Sequence, residues 1–264
     1  MAERARQVDG EDFTRDVMLS FAASSQDQIA GGRHRVWGSV KLWVPPQTST
    51  IASQLPKVVG TALSLQRARR LGVELGLPED SIVVSIIGDA TVNHATAQTA
   101  FNAASWATYQ HIPVPVLFVC EDNGIGISVP TPKGWIETSF KNRPGIHYFK
   151  CNGLDLIEAY RITRQAVEFC RQHRVPVFLH MEVVRLLGHA GSDPETEYHN
   201  FDIIEAAEAR DPLLATANIV VGLGLMTPDE VLGLYERMRT RVREAAAAAV
   251  KPDGRAPLVN GRQT

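Results

Sequence analysis

Short, continuous apolar runs alternate along this chain with longer segments whose apolar residues recur every three or four positions. The β-branched run 81–87, closed by Gly88, predicts a strand buried on both faces, and 115–120 predicts a second of the same kind. Between them, the alanine-rich stretch 95–109 predicts a helix. Upstream, a helix is expected to start near Pro56, a favourable first-turn residue, and to run toward the region of Gly72 and Gly76. It carries Val58, Val59, Ala62, Leu65 and Ala68 as its apolar positions. Downstream, Asp155 followed three residues later by Glu158 makes a start like a capping box. Leu156, Ala159, Tyr160, Thr163, Val167 and Cys170 then share one helical face, and 177–184, after Pro176, predicts a further strand. Near the beginning, 12–23 predicts a helix, 30–34 a glycine-rich loop, and the prolines of Val44-Pro45-Pro46 an extended segment. Thr227-Pro228-Asp229-Glu230 is a capping box with proline at the first helical position. Val231, Leu234, Tyr235, Met238 and Val242 continue it as an amphipathic helix through 245–249, and the chain reads as a linker from Pro252 onward.

Strand alternating with helix predicts an α/β fold: a doubly wound parallel sheet covered by helices on both sides. Ligands of such sheets bind beyond the carboxyl ends of the strands. Gly88-Asp89, Asp122-Asn123 and Gly188-His189 each lie just past a predicted strand end, so one crevice can gather them. The expected organisation is a lead-in over 1–30, the α/β domain over 31–225, and an amphipathic helix and tail over 226–264.

Composition narrows the picture mainly by exclusion. The 264 residues suit one large domain, with 44% hydrophobic and 21% charged residues as in ordinary globular proteins. A formal charge of −2 gives no reason to expect nucleic acid or an anionic membrane as partner. The longest apolar runs are too short to span a bilayer, and Met1-Ala2-Glu3-Arg4-Ala5-Arg6 has no apolar signal region. Three cysteines, Cys120, Cys151 and Cys170, form no CxxC pair. Neither a zinc site nor a disulfide framework is expected, but reduced, mostly buried thiols in a cytoplasmic protein.

Candidate chemistry starts from Asp89 and Asn123. Magnesium takes six oxygens in near-octahedral geometry, often one or two from carboxylates and the rest from phosphates, waters or amide oxygens. Asp89, the Asn123 side chain, a backbone carbonyl at Ile125 and two diphosphate oxygens make such a shell. Either residue alone is more simply read as a helix cap or a turn residue. Two of them, each ending a separate buried strand, favour the metal. The glycines beside them leave room for a diphosphate to approach the backbone. Gly124-Ile125-Gly126 lacks the third glycine and the acidic partner of a dinucleotide fingerprint, so a nicotinamide dehydrogenase rests on weak ground. His189, in the polar loop 188–194, could donate to a phosphate or a developing oxyanion, although a loop histidine is more often simply solvated.

Four ordered motifs carry a resemblance. They are Ser49-Thr50-Ile51-Ala52-Ser53-Gln54-Leu55-Pro56; Gly88-Asp89-Ala90-Thr91-Val92-Asn93-His94; Phe118 through Ser128, containing Glu121-Asp122-Asn123-Gly124-Ile125-Gly126; and Arg185 through Pro194. Together, over about 31–248, they resemble the alpha subunit of thiamine diphosphate-dependent 2-oxoacid dehydrogenases, the decarboxylating component of the pyruvate and branched-chain complexes. They are closest to members in which alpha and beta parts are often fused. The resemblance implies a thiamine diphosphate-binding fold of the diphosphate-binding domain type. It implies that Asp89, Asn123 and the backbone of Ile125 hold Mg²⁺, with Gly88 and Ala90 beside them in the cofactor-binding set. Ser49 and Ile51 fall where the family contacts the aminopyrimidine, and Arg185 and His189 where it contacts the cofactor. His189 is also implied as the catalytic residue that helps the acyl-carrier step. The implied reaction is oxidative decarboxylation of a small 2-oxo acid with acyl transfer to a lipoyl carrier. The 3-methyl-2-oxobutanoate class comes first and pyruvate or acetoin second. The implied partners are a beta subunit or beta-like domain, in a heterotetramer, and a lipoyl-bearing acyltransferase.

The chain departs from the family in four respects. Asp122-Asn123 stands where two asparagines are usual. The spacing from Gly88 to Asn123 is a few residues longer, near 109–112. Ala190 occupies the position of the regulatory phosphoserine of mitochondrial relatives. The family's N-terminal segment, with a Tyr-Arg pair that grips the diphosphate, and the beta part that supplies an activating glutamate are not found in the sequence. A reading of another class follows from that last point: a non-catalytic remnant serving as a binding or assembly module, against which retention of Asp89, Asn123 and His189 argues.

Overall fold

The computed structural model describes residues 12–250, residue 8, and the backbone at 258–259 and 262–263. Most of the stretch read as a linker from Pro252, and the start of the 1–30 lead-in, lie outside the described residues. In chain order the elements are α1 (Phe13–Phe21), β1 (Trp37–Ser39), β2 (Val44–Gln47), α2 (Gln54–Arg70) and β3 (Val83–Gly88). A 3₁₀ turn (Asp89–Asn93), α3 (Ala95–Tyr109), β4 (Val116–Asp122), β5 (Ile125–Gly126), β6 (Val129–Pro130) and α4 (Trp135–Phe140) follow. Then come β7 (His147–Asn152), α5 (Leu156–His173), β8 (Val177–Glu182), a 3₁₀ turn (Glu195–Glu197), α6 (Phe201–Glu208), α7 (Pro212–Gly222) and α8 (Pro228–Val250). The strands β9 (Leu258–Val259) and β10 (Arg262–Gln263) pair at the end. Two compact units emerge, residues 51–220 and, together, the described parts of 1–50 and 221–264.

In the first unit β3, β4, β8 and β7 form one parallel sheet in that order, so the fold is α/β. Side-chain alternation assigns its faces. Val116, Phe118 and Cys120 of β4 and Phe178 of β8 point into a core shared with α2, α3 and Phe140 of α4. Leu117 of β4, Val177 and Leu179 of β8 and Cys151 of β7 point the other way, onto Ala166 and Cys170 of α5. Helices therefore cover both faces. The crossover through α3 and the crossover through α5 run in opposite directions along the sheet, as right-handed connections on opposite faces require. Phe101 knits the first core, edge-on to Phe118 at 5.1 Å and to Phe140 at 4.9 Å, while Phe140 stacks on Phe178 at 3.8 Å.

Local signals act as the patterns predict in several places. Asp155 caps α5 by accepting from the N–H groups of Ile157 and Glu158. Glu158 reaches back to the Asn152 N–H rather than to its own cap residue. In the second unit Thr227 and Glu230 bond reciprocally at the start of α8, a complete capping box. That unit also packs α1 against α8 and sets Trp37 against Phe13 and Phe21, each at 6.1 Å.

Other expectations need correction. The run 81–87 is not buried on both faces: Val84 and Ile86 are 50% and 55% exposed. β3 is an edge strand, and α5 packs mainly on β7, β8 and β4. The stripe expected on α5 is displaced, because Leu156 and Tyr160 are exposed and the sheet is met by Ile162, Ala166, Phe169 and Cys170 as well as Val167. Strand β7 and helices α4, α6 and α7 carry no strong periodic signal. β7 reads His-Tyr-Phe-Lys-Cys-Asn, the mixed pattern of a half-buried edge strand. Among the described residues no helix is long and apolar enough to cross a membrane. All three cysteines are buried, and burial pushes the thiols up, Cys151 to about 11 and Cys170 to about 12, so none serves as a thiolate nucleophile near neutral pH.

Candidate cofactor site

The parallel register brings the strand ends together. Gly88, the last residue of β3, lies opposite Glu121 of β4, and Asp122, the last residue of β4, lies opposite Glu182 of β8. Asp89 and Asn123 follow directly on neighbouring strands. Asp89 is 2% exposed and opens the 3₁₀ turn, while the cap of α3 is His94, whose ring accepts from the Thr96 N–H. The Thr131 hydroxyl, reaching over from beyond β6, donates to Asp89 Oδ2. Burial pushes the Asp89 carboxyl above its ordinary range, the Thr131 hydrogen bond acts the other way, and the Asp122 charge adds to the rise. A buried carboxylate with a hydroxyl for partner and a second carboxylate nearby is poorly compensated, and a cation relieves it.

The turn after β4 is set by its own side chains. Asn123 Oδ1 accepts from the Ile125 N–H at 3.0 Å, and Asp122 Oδ1 from the Gly124 N–H at 3.1 Å. Gly124 has φ of +78°, the left-handed region that glycine enters without strain. β5 and β6 then make a two-residue hairpin whose first loop residue, Ile127, also has positive φ, +57°, where glycine ordinarily sits. A β-branched residue in that region carries strain on the order of 1–3 kcal/mol, and such strain clusters at ligand sites. Gly126 packs against the turn that bears Asp89: a Cβ placed on it would lie 2.7 Å from the Ala90 Cβ. Gly126→Ala is therefore expected to destabilise the protein by about 1–3 kcal/mol in urea unfolding. A change below about 0.5 kcal/mol would show that the two segments do not touch.

Behind this turn stands a polar chain that the sequence patterns do not single out. His180 of β8, 3% exposed, bonds Asp122 Oδ2 through Nε2 at 2.8 Å and the Tyr148 hydroxyl of β7 through Nδ1 at 2.7 Å. Burial pushes the Tyr148 phenol above its ordinary range, so it remains a hydroxyl. The available signal was His180 as the one polar residue of Val177-Phe178-Leu179-His180-Met181. Asp122, the departure from the usual asparagine pair, thus has a partner of matching chemistry.

Beyond β8, Arg185 donates to the Ile127 carbonyl at 2.7 Å and to the Tyr198 hydroxyl at 2.8 Å. The Tyr198 hydroxyl and the His189 N–H both donate to Asp193 Oδ2. Arg185 thereby ties the His189 loop to the hairpin, and its buried Nε has no hydrogen-bond partner. A cleft of about 480 Å³ lies between the segments after β4 and β8, lined by Asn123, Gly124, Ile125, Arg185 and, from α6 and just beyond it, Ile203 and Arg210. The chain enters β4 and β8 from opposite directions along the sheet, which makes this the topological switch point where α/β sheets bind ligands. Gly88, Asp89, Ala90, Asn123 and Ile125 are brought together on these neighbouring strand ends, and Arg185 adjoins them through the hairpin. His189 is exposed on its loop and does not line the cleft. Ile51 is exposed ahead of α2, and Ser49 belongs to the other unit, where its hydroxyl meets His34 Nε2 at 3.2 Å.

The residues present suit a hard cation carrying an anionic group. Among the described residues there is no group of three or more His, Cys, Asp or Glu side chains placed to hold a metal. A cation here would take one carboxylate, one amide oxygen and one carbonyl, leaving positions for a ligand's own oxygens. Gly88 and Gly124 face open space, and the orphaned Arg185 Nε remains a donor without an acceptor.

The family described as dehydrogenase E1 component matches residues 7–256. The "Probable pyruvate dehydrogenase E1 component subunit alpha, mitochondrial" of Caenorhabditis elegans is 27% identical over 239 residues, 87% of this chain and 55% of that protein. The "2-oxoisovalerate dehydrogenase subunit alpha" of Bacillus subtilis is 26% identical over 248 residues, 92% of this chain and 71% of its own. This chain spans about half the length of the first of these relatives. Among solved structures, a transketolase from Campylobacter jejuni aligns over 52% of this chain and 20% of its own, at 16% identity and a TM-score of 0.38, too low a likeness to argue from.

Proposed function

The chain belongs to the dehydrogenase E1 component family, and on that premise we propose that it is the alpha half of a thiamine diphosphate-dependent 2-oxoacid dehydrogenase. The observation that carries this reading is the pairing of Asp89 with the Asn123–Ile125 turn on adjacent strand ends at the switch point. In this reading Asp89, the Asn123 side chain and the Ile125 carbonyl hold Mg²⁺. Gly88, Ala90 and Gly124 let the diphosphate approach the backbone, and Ser49 and Ile51 serve the aminopyrimidine end. Thiamine diphosphate, when bound, supplies the carbanion and the electron sink for loss of CO₂ from a 2-oxo acid. The chain's own part is orientation and charge: Arg185 fixes the hairpin against the His189 loop, and His189 holds a proton where the acyl group is handed to a lipoyl arm.

The partners in this reading are a beta subunit or beta-like domain, in a heterotetramer, and a lipoyl-bearing acyltransferase, in the cytoplasm. The branched-chain class, 3-methyl-2-oxobutanoate, is the first substrate reading, supported by the Bacillus relative over 92% of this chain. Pyruvate is the second, supported by the Caenorhabditis relative. The test is to combine the chain with a beta subunit and a lipoyl acceptor and to measure CO₂ release from each acid. Turnover of either supports the reading, and none at all with cofactor, Mg²⁺ and partner present returns the chain to a binding or assembly module. His189→Ala is expected to keep the fold by circular dichroism and to lower the overall reaction about 100-fold, the lower end of what a positioned proton-transfer group contributes. Full activity would make His189 a solvated loop residue.

A further inference from the structure

The turn that would present Asn123 and Ile125 to a cation has few bonds of its own. Asp122 Oδ1 takes the Gly124 N–H, and Asn123 Oδ1 takes the Ile125 N–H. A part-exposed aspartate swings easily to water and releases such a bond, unless its other oxygen is held. Here the other oxygen is held from beneath. His180 stands one strand away, in register with Cys120 of β4 and Lys150 of β7, on the same face as Phe178. Its Nε2 lies 2.8 Å from Asp122 Oδ2 and its Nδ1 2.7 Å from the Tyr148 hydroxyl. Asp122, as a carboxylate, only accepts, so Nε2 carries a proton, and the Tyr148 hydroxyl, donating to Nδ1, fixes that tautomer. Tyr148 is in turn held by its ring, which lies nearly parallel to Phe178 with centroids 6.3 Å apart. The Asp122 carbonyl receives the Val183 N–H at 2.9 Å, which ties the same residue to the end of β8. Every polar atom of the His180 ring is used, and the chain runs in one direction, from Tyr148 through His180 to Asp122 and the turn.

We propose that Tyr148 and His180 are positioning residues which hold Asp122, and through it the Asn123–Ile125 turn, in the conformation that a Mg²⁺-bound diphosphate requires. This deepens the cofactor assignment above and rests on it for the ligand, though not for the rigidity of the turn. Groups that orient metal ligands from behind are worth roughly 10–100-fold in metal affinity or activity. A histidine that merely fills the core changes stability and leaves the folded protein's affinity alone.

The test uses the full chain with three substitutions, His180→Phe, Tyr148→Phe and His180→Gln, the last able to offer an amide N–H toward Asp122. Amide hydrogen exchange of Gly124 and Ile125 is measured first, in the absence of cofactor. His180→Phe is expected to speed both at least about 10-fold while central β4 and β8 amides keep their protection. Tyr148→Phe, the milder change, is expected to move the same two amides by a few-fold, and His180→Gln to restore them. Thiamine diphosphate is then titrated with Mg²⁺, with beta subunit added where the chain alone gives no signal. His180→Phe is expected to weaken binding about 10–100-fold, and His180→Gln to recover most of it. Unchanged exchange at Gly124 and Ile125 in both His180→Phe and Tyr148→Phe overturns the proposal, as does loosened exchange with unchanged affinity. If the parent chain binds no cofactor even with the beta subunit, the cofactor reading is what fails, and the exchange data alone decide whether His180 holds the turn.

Discussion

Asp89→Ala is expected to abolish Mg²⁺-dependent binding of thiamine diphosphate, with an affinity loss of at least about 100-fold, or roughly 2.7 kcal/mol. The argument starts from the carboxyl itself. It is buried, its one side-chain partner is the Thr131 hydroxyl, and burial and the neighbouring Asp122 both act against its charge. The Thr131 hydroxyl and the backbone N–H groups of Asp89 and Ala90 offset this only in part, and a cation bound there would add the missing compensation. Asp89 would also be the sole carboxylate in the proposed ligand set, and Mg²⁺ relies on one or two carboxylates to offset its dehydration. Asp89→Asn separates charge from shape, because its amide oxygen can still accept from Thr131. Binding is expected to be lost in this variant too, while the cofactor-free protein melts no lower than the parent, since an uncompensated buried charge has gone. Calorimetric titration and a thermal melt on the two variants check both halves. Unchanged affinity would remove Asp89 from the site.

The largest expected effect on stability is that of Phe101→Ala, about 3–5 kcal/mol in urea unfolding. Phe101 is fully buried and is edge-on to Phe118, Phe140 and Phe178, so it joins α3 to β4, α4 and β8 at once. The guanidinium of Arg143 lies 5.5 Å from its ring centroid and leaves little slack for the neighbours to collapse into the space. Against a typical total of 5–15 kcal/mol this is a large share. Phe101→Leu, which keeps most of the volume, is expected to lose clearly less. A loss below about 1 kcal/mol for Phe101→Ala would mean that the aromatic cluster does not hold the sheet to its helices.

Much of the framework was legible because buried strands and capped helices leave strong local marks. The runs 81–87 and 115–120 appear as β3 and β4, the latter running on to Asp122, 95–109 is helix α3, and Asp155 and Thr227 cap α5 and α8. What stayed hidden depends on pairing rather than on sequence. Nothing local to 81–87 shows that β3 is an edge strand, because its exposure is decided by how far α5 reaches across the sheet. β7 is masked by its mixture of polar and apolar residues. Asn200 caps α6 and Asp211 accepts from the Leu213 N–H at the start of α7, but neither helix buries a residue that would mark a stripe. At the site, the motifs bring Asp89, Asn123, Ile125 and Arg185 onto adjoining segments. Thr131 and Tyr148 carry no motif and come into play only through the fold, and His180 shows its importance only as a polar residue in an apolar run. Arg185 offers a different lesson: two of its three nitrogens hold the Ile127 carbonyl and the Tyr198 hydroxyl, so its first role is to tie two loops together.

The central claim is that Asp89, Asn123 and the Ile125 carbonyl together hold Mg²⁺ beneath the diphosphate of thiamine diphosphate. Calorimetric titration of the cofactor into the full chain, with and without Mg²⁺ and with beta subunit added in a parallel run, tests it most directly. The account predicts saturable one-to-one binding that requires Mg²⁺ and disappears on chelation. Equal binding with and without the metal, or none in any run, would contradict it.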